Sequence, residues 1–285
     1  VPGHISHLNE RKYQHTLTAT GSWKREGNGR EEPMIDYDLI APFYDIEHAH
    51  FDEDIDMYLN FAELSGGKIL ELACGSGRVL LPLAQEGYEL TGVDYSDKML
   101  ELARETLAQA GVVSRCTLAQ QDICTLQLEQ KFRLAFIALG SFGHITTRKD
   151  QQRVLSGLRN HLSKGATLII DISNADARYM EDLSGQVLHQ GTWQSEDGSY
   201  YTHFVTPSSA TREHLLELTH FYDHHIQGGP VERTVVTTFL YLFEHTEMEL
   251  LLEQAGFVVK DIYGDHELGP FQRESPRMIF VAEAR

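Results

Sequence analysis

Ile69-Leu70-Glu71-Leu72-Ala73-Cys74-Gly75-Ser76-Gly77-Arg78 decides how the rest of this chain is read. An apolar run suited to a buried strand ends in a Gly-x-Gly turn, and residues 79–85 then read as a helix. That order lets a ligand lie against bare backbone at the carboxyl end of a strand, where open α/β sheets bind nucleotides. About 20 residues beyond the first glycine, Glu89-Leu90-Thr91-Gly92-Val93 ends at Asp94, a carboxylate placed to accept from both hydroxyls of a ribose. The pattern points to a nucleoside-containing cofactor. A dinucleotide fingerprint needs a third glycine, so that the helix can receive a pyrophosphate. Leu80 stands at that position, beside the side chains of Arg78 and Val79.

Working outward, strands are expected over 68–72, 89–93, 117–121, 134–139 and 166–171. Helices over 79–85, 97–110 and 150–161 alternate with them. Ser96 suits a helix N-cap, and Gly87 and Gly111 suit helix ends. Pro82 falls early enough in its helix to remove little hydrogen bonding. Residues 34–62 carry apolar side chains at helical intervals, including Leu39, Ile40, Phe43, Tyr44, Met57, Tyr58 and Phe61. They read as two helices covering the sheet edge and the cofactor. From 186 to 243 the alternation changes to a period of two, with turns at Glu196-Asp197-Gly198-Ser199 and Gln227-Gly228-Gly229-Pro230. Thr246-Glu247-Met248-Glu249 reads as a capping box opening a helix over 247–255, with Gly256 as its stop. Strands over 258–263 and 278–284 complete the chain.

The fold class expected is therefore α/β: a Rossmann-like, seven-stranded, mostly parallel sheet with helices on both faces. An antiparallel β-insert of roughly four strands at 186–243 belongs to a domain spanning 34–285. Residues 1–33 form a polar arm that composition reads as a flexible tail. The arm and the insert are candidate subunit contacts in a homo-oligomer.

Glu71-Leu72-Ala73-Cys74-Gly75-Ser76-Gly77 resembles motif I of the class I S-adenosylmethionine-dependent methyltransferases. The resemblance runs from about Tyr37 to Ile172 and more loosely to the end. It implies S-adenosylmethionine as cofactor, with Gly75 and Gly77 against it, Asp94 on the ribose, and Tyr95 and Met99 near the adenine. Asp122, in Gln120-Gln121-Asp122-Ile123, matches the carboxylate that receives the adenine amino group. The implied shell also takes in Glu71, Ala73, Gln121, Ile123 and Leu139, with Arg78 neutralising the methionyl carboxylate. Gly140-Ser141-Phe142-Gly143-His144-Ile145 is similar to the Asn-Ser-Phe-x-His-Leu pattern of glycine N-methyltransferase-like and sugar-amine methyltransferases. Gly140 departs from the Asn usual there, leaving a backbone carbonyl for the methionyl end. Tyr37-Asp38-Leu39-Ile40-Ala41-Pro42-Phe43-Tyr44-Asp45 resembles the amino-terminal Tyr-x-x-x-Ala-x-x-Tyr-Asp pattern of the same relatives. There an aromatic ring closes over the cofactor. In this class an antiparallel end to the sheet is usual, and an insert before the last helix often covers the acceptor.

Methyl transfer from a sulfonium is an in-line displacement, so a protein must hold the acceptor close and exclude water. An amine acceptor needs little acid–base help, whereas a hydroxyl needs a base. His144, Tyr44 and Tyr37 are the candidate catalytic groups. His144, Asn174 and Arg178 are the candidate acceptor contacts, the last two because they follow the fifth strand. Each has a plain structural alternative: a histidine capping a turn, an aromatic helical stripe, an exposed arginine. His220, His224 and His225 invite a metal reading. In a strand, 220 and 224 lie roughly 13 Å apart at about 3.3 Å per residue, too far to chelate one ion. Glu47-His48-Ala49-His50-Phe51-Asp52 reads as a solvated helix face. No metal is expected.

The formal net charge of −18 over 285 residues argues against nucleic acid and anionic membranes as partners. Three cysteines make no disulfide framework, no apolar run approaches the roughly 20 residues of a membrane span, and Val1-Pro2-Gly3-His4 is unlike a signal peptide. A soluble, cytoplasmic enzyme acting on a small molecule at nitrogen or oxygen is expected. The competing expectation is a protein that binds S-adenosylmethionine without transfer activity and serves as a regulatory or partner module.

Overall fold

The computed structural model describes residues 37–48, 51–174, 184–195, 197–209 and 214–285. The arm at 1–33 and Arg178 lie outside these residues. Strand β1 (Ile69–Leu72) is buried along its whole length, as an apolar strand covered on both faces must be. It pairs in parallel with β2 (Leu90–Asp94) on one side and β4 (Phe132–Ile137) on the other. β3 (Cys116–Gln120) extends the sheet beyond β2, and β5 (Leu162–Ser173) extends it beyond β4. The far edge is β11 (Arg277–Ala284) followed by β10 (Phe257–Tyr263). β11 is antiparallel to both neighbours, so it alone runs backwards in this seven-stranded sheet. Chain order reverses between β1 and β4, the place where open α/β sheets leave a crevice for ligand.

Strand periodicity divides the core in two. Leu70, Leu72, Ala135, Ile137, Leu168 and Ile170 face α5 (Arg148–His161) and α6 (His245–Gln254). Ile69, Leu134, Phe136 and Ile169 face α2 (Ile55–Ser65), α3 (Leu80–Gln85) and α4 (Asp97–Gln109). Ser96 caps α4 by accepting from the Met99 amide, and Thr147 caps α5 by accepting from the Asp150 amide. The capping box of α6 lies two residues earlier than expected. Glu244 is the cap and Glu247 its third-position partner, because the Glu247 carboxylate is drawn to the Glu244 amide, the Tyr241 hydroxyl and Arg148. Helix α3 is correspondingly short, starting at Leu80 with no side-chain cap.

The insert is a separate antiparallel sheet of β6 (Leu188–Gln194), β7 (Ser199–Ser209), β8 (Leu215–Ile226) and β9 (Val231–Tyr241), in that order. It meets the rest of the molecule through α1 (Tyr37–His48) and through the segment Ser141–His144 after β4. Phe43 of α1 stacks face to face on Tyr222 of β8, ring centres 4.4 Å apart, and meets Tyr201 of β7 edge-on at 5.7 Å. Ile40, Ala41, Met99 and Val236 complete this small third core. Among the described residues no helix is long and apolar enough to cross a membrane.

Candidate active site

The chain leaves β1 through Ala73, Gly75 and Gly77, all with positive φ (56°, 54° and 83°). A left-handed alanine is uncommon and marks a turn held by its surroundings. Those surroundings are visible. The Cys74 amide donates to the Val93 carbonyl at 3.1 Å, and the Gly75 amide donates to Asp94 Oδ2 at 2.9 Å. The other carboxylate oxygen of Asp94 accepts from the Ser96 amide at 2.9 Å. Asp94 thus ties the glycine turn to the end of β2. Its pKa is raised because burial outweighs the three backbone amides that favour the charged form. A side chain on Gly77 would be strained by its φ of 83° and would press on Ala103 of α4, the two Cβ atoms 3.3 Å apart.

Helix α1 lies over this turn. The Tyr44 ring passes 3.8 Å from where a Cβ on Gly75 would sit, and it stacks on His48 at 4.2 Å. Burial pushes the Tyr44 phenol up to about 12, with Arg78 opposing, so it stays a protonated donor at neutral pH. Tyr37 is half-buried, and its phenol is raised further, again with desolvation as the first cause. Its ring meets Tyr95 edge-on at 6.0 Å and His144 edge-on at 5.8 Å.

Leu139 and Gly140 follow β4 with φ of 48° and 78°, the second left-handed turn beside the crevice. The Gly140 amide donates to the Asp171 carbonyl, and its own carbonyl accepts from Gly143. This brings His144 under β9, where Nδ1 lies 2.9 Å from the Phe239 carbonyl oxygen. A carbonyl only accepts, so Nδ1 carries the proton and Nε2 the lone pair. Burial lowers the His144 pKa, partly opposed by that carbonyl, and the ring is neutral.

Other expected site residues sit as follows. Glu71 shares the α2 face of the sheet with Ile69 and is almost fully buried. Its Oε2 has no hydrogen-bond partner among the described residues. Burial raises its pKa well above the carboxylate range, with Arg78 opposing and Asp54 and Asp94 adding to the rise. Asp122 accepts from the Cys124 amide at 2.9 Å, opening the short turn Ile123–Thr125. Gln121 holds both backbone groups of Gln127. Met99 is buried against α1. Arg78 makes a two-pronged pair with buried Asp54, both bonds 2.6 Å, and donates to the Phe51 carbonyl at 3.0 Å. The guanidinium edge expected to meet a methionyl carboxylate is therefore engaged by Asp54. Asn174 donates its amide to the carbonyls of Arg273 and Ser275, bracing the turn before β11.

Sequence reasoning missed Asp54, the buried Asp171 that pairs with His266 and Arg277, and Glu47. Glu47 is no solvated residue: its carboxylate pairs with His203 of β7. A single acidic residue within a helix carries no local signal of a partner more than 150 positions away. Among the described residues no group of three or more His, Cys, Asp or Glu is placed to hold a metal.

The arrangement suits an adenosyl sulfonium. The turn offers bare backbone, Asp94 a buried carboxylate, and Glu71 an unpaired buried oxygen for a donor such as an amino group, since buried acceptors are seldom left alone. Leu80, fully buried, fills the place where a pyrophosphate site needs glycine. Residues 69–165 match the family model described as a methyltransferase domain. These residues form a class I S-adenosylmethionine-dependent methyltransferase domain. The chain is 25% identical over 255 residues to a Bacillus subtilis (strain 168) protein named as a methyltransferase, YqeM, covering 87% of its length and 96% of the relative. Its fold is similar to that of an S-adenosylmethionine-dependent methyltransferase from Clostridium acetobutylicum ATCC 824, at TM-score 0.73 and 19% identity, covering 87% of this chain and 98% of the other. The sugar N-methyltransferase KedS8 from Streptoalloteichus sp ATCC 53650 is also similar, at TM-score 0.69 and 20% identity, covering 94% and 98%.

Proposed function

We propose that this methyltransferase acts on the nitrogen or oxygen of a small molecule held between the glycine turn, helix α1 and the inner face of the β-insert. The observation that carries the reading is His144: a half-buried, neutral imidazole with its lone pair on Nε2, beside Tyr37 and in the turn that follows the strand bordering the crevice. A neutral ring can accept a hydrogen bond from an amine or take a proton from a hydroxyl; a charged one could do neither.

S-Adenosylmethionine supplies an electrophilic methyl group on a positively charged sulfur. The chain's own residues bind, orient and exclude water. In this reading Asp94 keeps the glycine turn closed and receives the ribose hydroxyls on its remaining lone pairs. Gly75 and Gly77 admit the cofactor to the backbone; Tyr95, Met99, Gln121, Asp122 and Ile123 form the adenine end. Glu71, Ala73, Leu139 and Gly140 border the methionyl end. Tyr37 and Tyr44, kept protonated by burial, close over the site from α1 and keep it dry. The insert, clamped to α1 through Phe43 and Tyr222, forms the roof over the acceptor. KedS8 is named for transfer to a sugar nitrogen, which supports a small polar acceptor here as well.

Two measurements test this. S-Adenosylhomocysteine should bind by calorimetry and raise the melting temperature, while NAD should leave it unchanged. Labelled methyl should then appear on a small amine or hydroxy compound. Binding without transfer to any acceptor would favour the module that binds cofactor and does not react.

A further inference from the structure

Where α1 meets the insert, four side chains form a line of hydrogen bonds that the site as described does not use. The Glu47 carboxylate pairs with Nδ1 of His203 on β7. Nε2 of His203 lies 3.0 Å from Nδ1 of His220 on β8, and Nε2 of His220 lies 3.0 Å from the Thr238 hydroxyl on β9. A carboxylate accepts only, so Nδ1 of His203 carries a proton, and in the neutral ring Nε2 is left with the lone pair. That lone pair requires a proton on Nδ1 of His220, which leaves Nε2 of His220 to accept from Thr238. With both rings neutral, one arrangement of protons satisfies all three contacts, and it runs in one direction, from Thr238 towards Glu47.

The line ends beside the proposed acceptor space. Thr238 is 3% exposed, on the face of β9 that carries Val236 against Phe43 and Tyr222 of the third core. The next residue, Phe239, supplies the carbonyl that orients His144, and Leu240 lies against Gly143. The titratable groups packed around the line are Tyr37 from α1, Tyr222 from β8 and His144 from the segment after β4. Burial raises both phenols and lowers His144, so all three are neutral. Burial, with His203 and His144 nearby, lowers His220 to about 4, so the ring is neutral at neutral pH.

We propose that Thr238, His220, His203 and Glu47 are a proton relay that deprotonates an ammonium acceptor, making the substrate an amine. This rests on the transferase reading above and narrows it. The ammonium N–H bond breaks and its proton joins Thr238 Oγ1 as the threonine's own proton moves to His220 Nε2. The proton on His220 Nδ1 moves to His203 Nε2, and that on His203 Nδ1 moves to Glu47. One proton has reached Glu47 and one lone pair has been freed on nitrogen. That lone pair forms the new N–CH3 bond while the methyl–sulfur bond breaks and its electron pair leaves on sulfur. An alkyl ammonium, with a pKa of about 10.4, gives up its proton roughly five units more readily than a hydroxyl group like that of water. A relay ending in a carboxylate suits the first and not the second.

Thr238→Val removes the hydroxyl and keeps the shape; Thr238→Ser keeps the hydroxyl. Labelled-methyl transfer is measured on the full chain with glycine, sarcosine and glucosamine, and with glycolate and glucose as hydroxy counterparts. At pH 7 the valine variant should lose about 100-fold in kcat/KM on the amine that is used, and the serine variant should recover most of it. The loss should shrink to about threefold near pH 10, where about a quarter of an alkyl amine is already neutral. A loss of equal size at every pH would mark Thr238 as merely structural and overturn the relay. Transfer to the hydroxy compounds alone would overturn the amine. A second readout needs no turnover: NMR of 15N-histidine-labelled protein with S-adenosylhomocysteine should find His203 and His220 as Nδ1–H tautomers. An Nε2–H tautomer at either position refutes the relay by itself. Normal tautomers and bound S-adenosylhomocysteine with no transfer to any of the five compounds would overturn the transferase reading, and the relay's role with it.

Discussion

Asp94→Asn separates two roles that one carboxylate is asked to fill. In the folded chain its oxygens accept from the Gly75 and Ser96 amides, both at 2.9 Å, and the residue is 7% exposed. An asparagine has one acceptor oxygen and one NH2, so one backbone N–H must face a donor. Losing a hydrogen bond to a charged group costs about 1.5–3 kcal/mol, and a stranded buried N–H adds to it. Against this, burial already disfavours the Asp94 charge, and a neutral side chain recovers part of the loss. A net destabilisation of about 2 kcal/mol follows, readable as a lower urea midpoint at unchanged m-value. If the same carboxylate also holds the ribose, S-adenosylhomocysteine should bind about 10- to 100-fold more weakly by calorimetry, as for a lost charge-assisted pair. Weakened stability with unchanged affinity would make Asp94 a brace for the turn and refute the ribose assignment. If neither quantity moved, the bonds to Gly75 and Ser96 would be energetically idle and the account of the turn would fail too.

Three further outcomes are expected. The Glu71 carboxyl titrates higher in the fold than in the unfolded chain, so its contribution is full at acid pH and lost as pH rises through the folded value. Glu71→Gln should therefore match the unliganded wild type near pH 4 and melt higher at pH 8; parallel melting curves across that range would contradict the burial argument. Phe43→Ala removes the ring stacked on Tyr222 and should cost about 3 kcal/mol or more. Faster hydrogen exchange should be confined to Tyr37–His48 and the insert strands, and a uniform change including β1 would show that α1 is not docked independently. Gly75→Val places a branched side chain at φ 54° and towards the Tyr44 ring. S-Adenosylhomocysteine binding should vanish with the circular dichroism spectrum intact, and retained binding would remove the glycine turn from the site.

The sheet was legible because its signals are local. A strand buried on both faces has to be a continuous apolar run, as Ile69–Leu72 is, and a left-handed turn favours glycine, as at Gly75 and Gly77. The insert announced itself through period-two alternation and through turns that the structure places between β6 and β7 and between β8 and β9. Where several partners compete for one group, the local rule gave the wrong answer. The box at Thr246 was sound by spacing, but Glu247 is claimed by Tyr241, Arg148 and the Glu244 amide, and the helix starts earlier to serve them.

What the order of residues determined by itself is the parallel α/β sheet, the glycine turn over β1 and a carboxylate at the end of β2, each written within a window of a few residues. What only the tertiary structure decided is which charges meet. Asp54 takes Arg78, Glu47 takes His203, and His144 turns its Nδ1 to a carbonyl 95 positions along the chain. Such pairs have no periodicity to read. They exist because folding removes water from groups distant in sequence, and each buried donor or acceptor must then find its partner in whatever lies nearest in space.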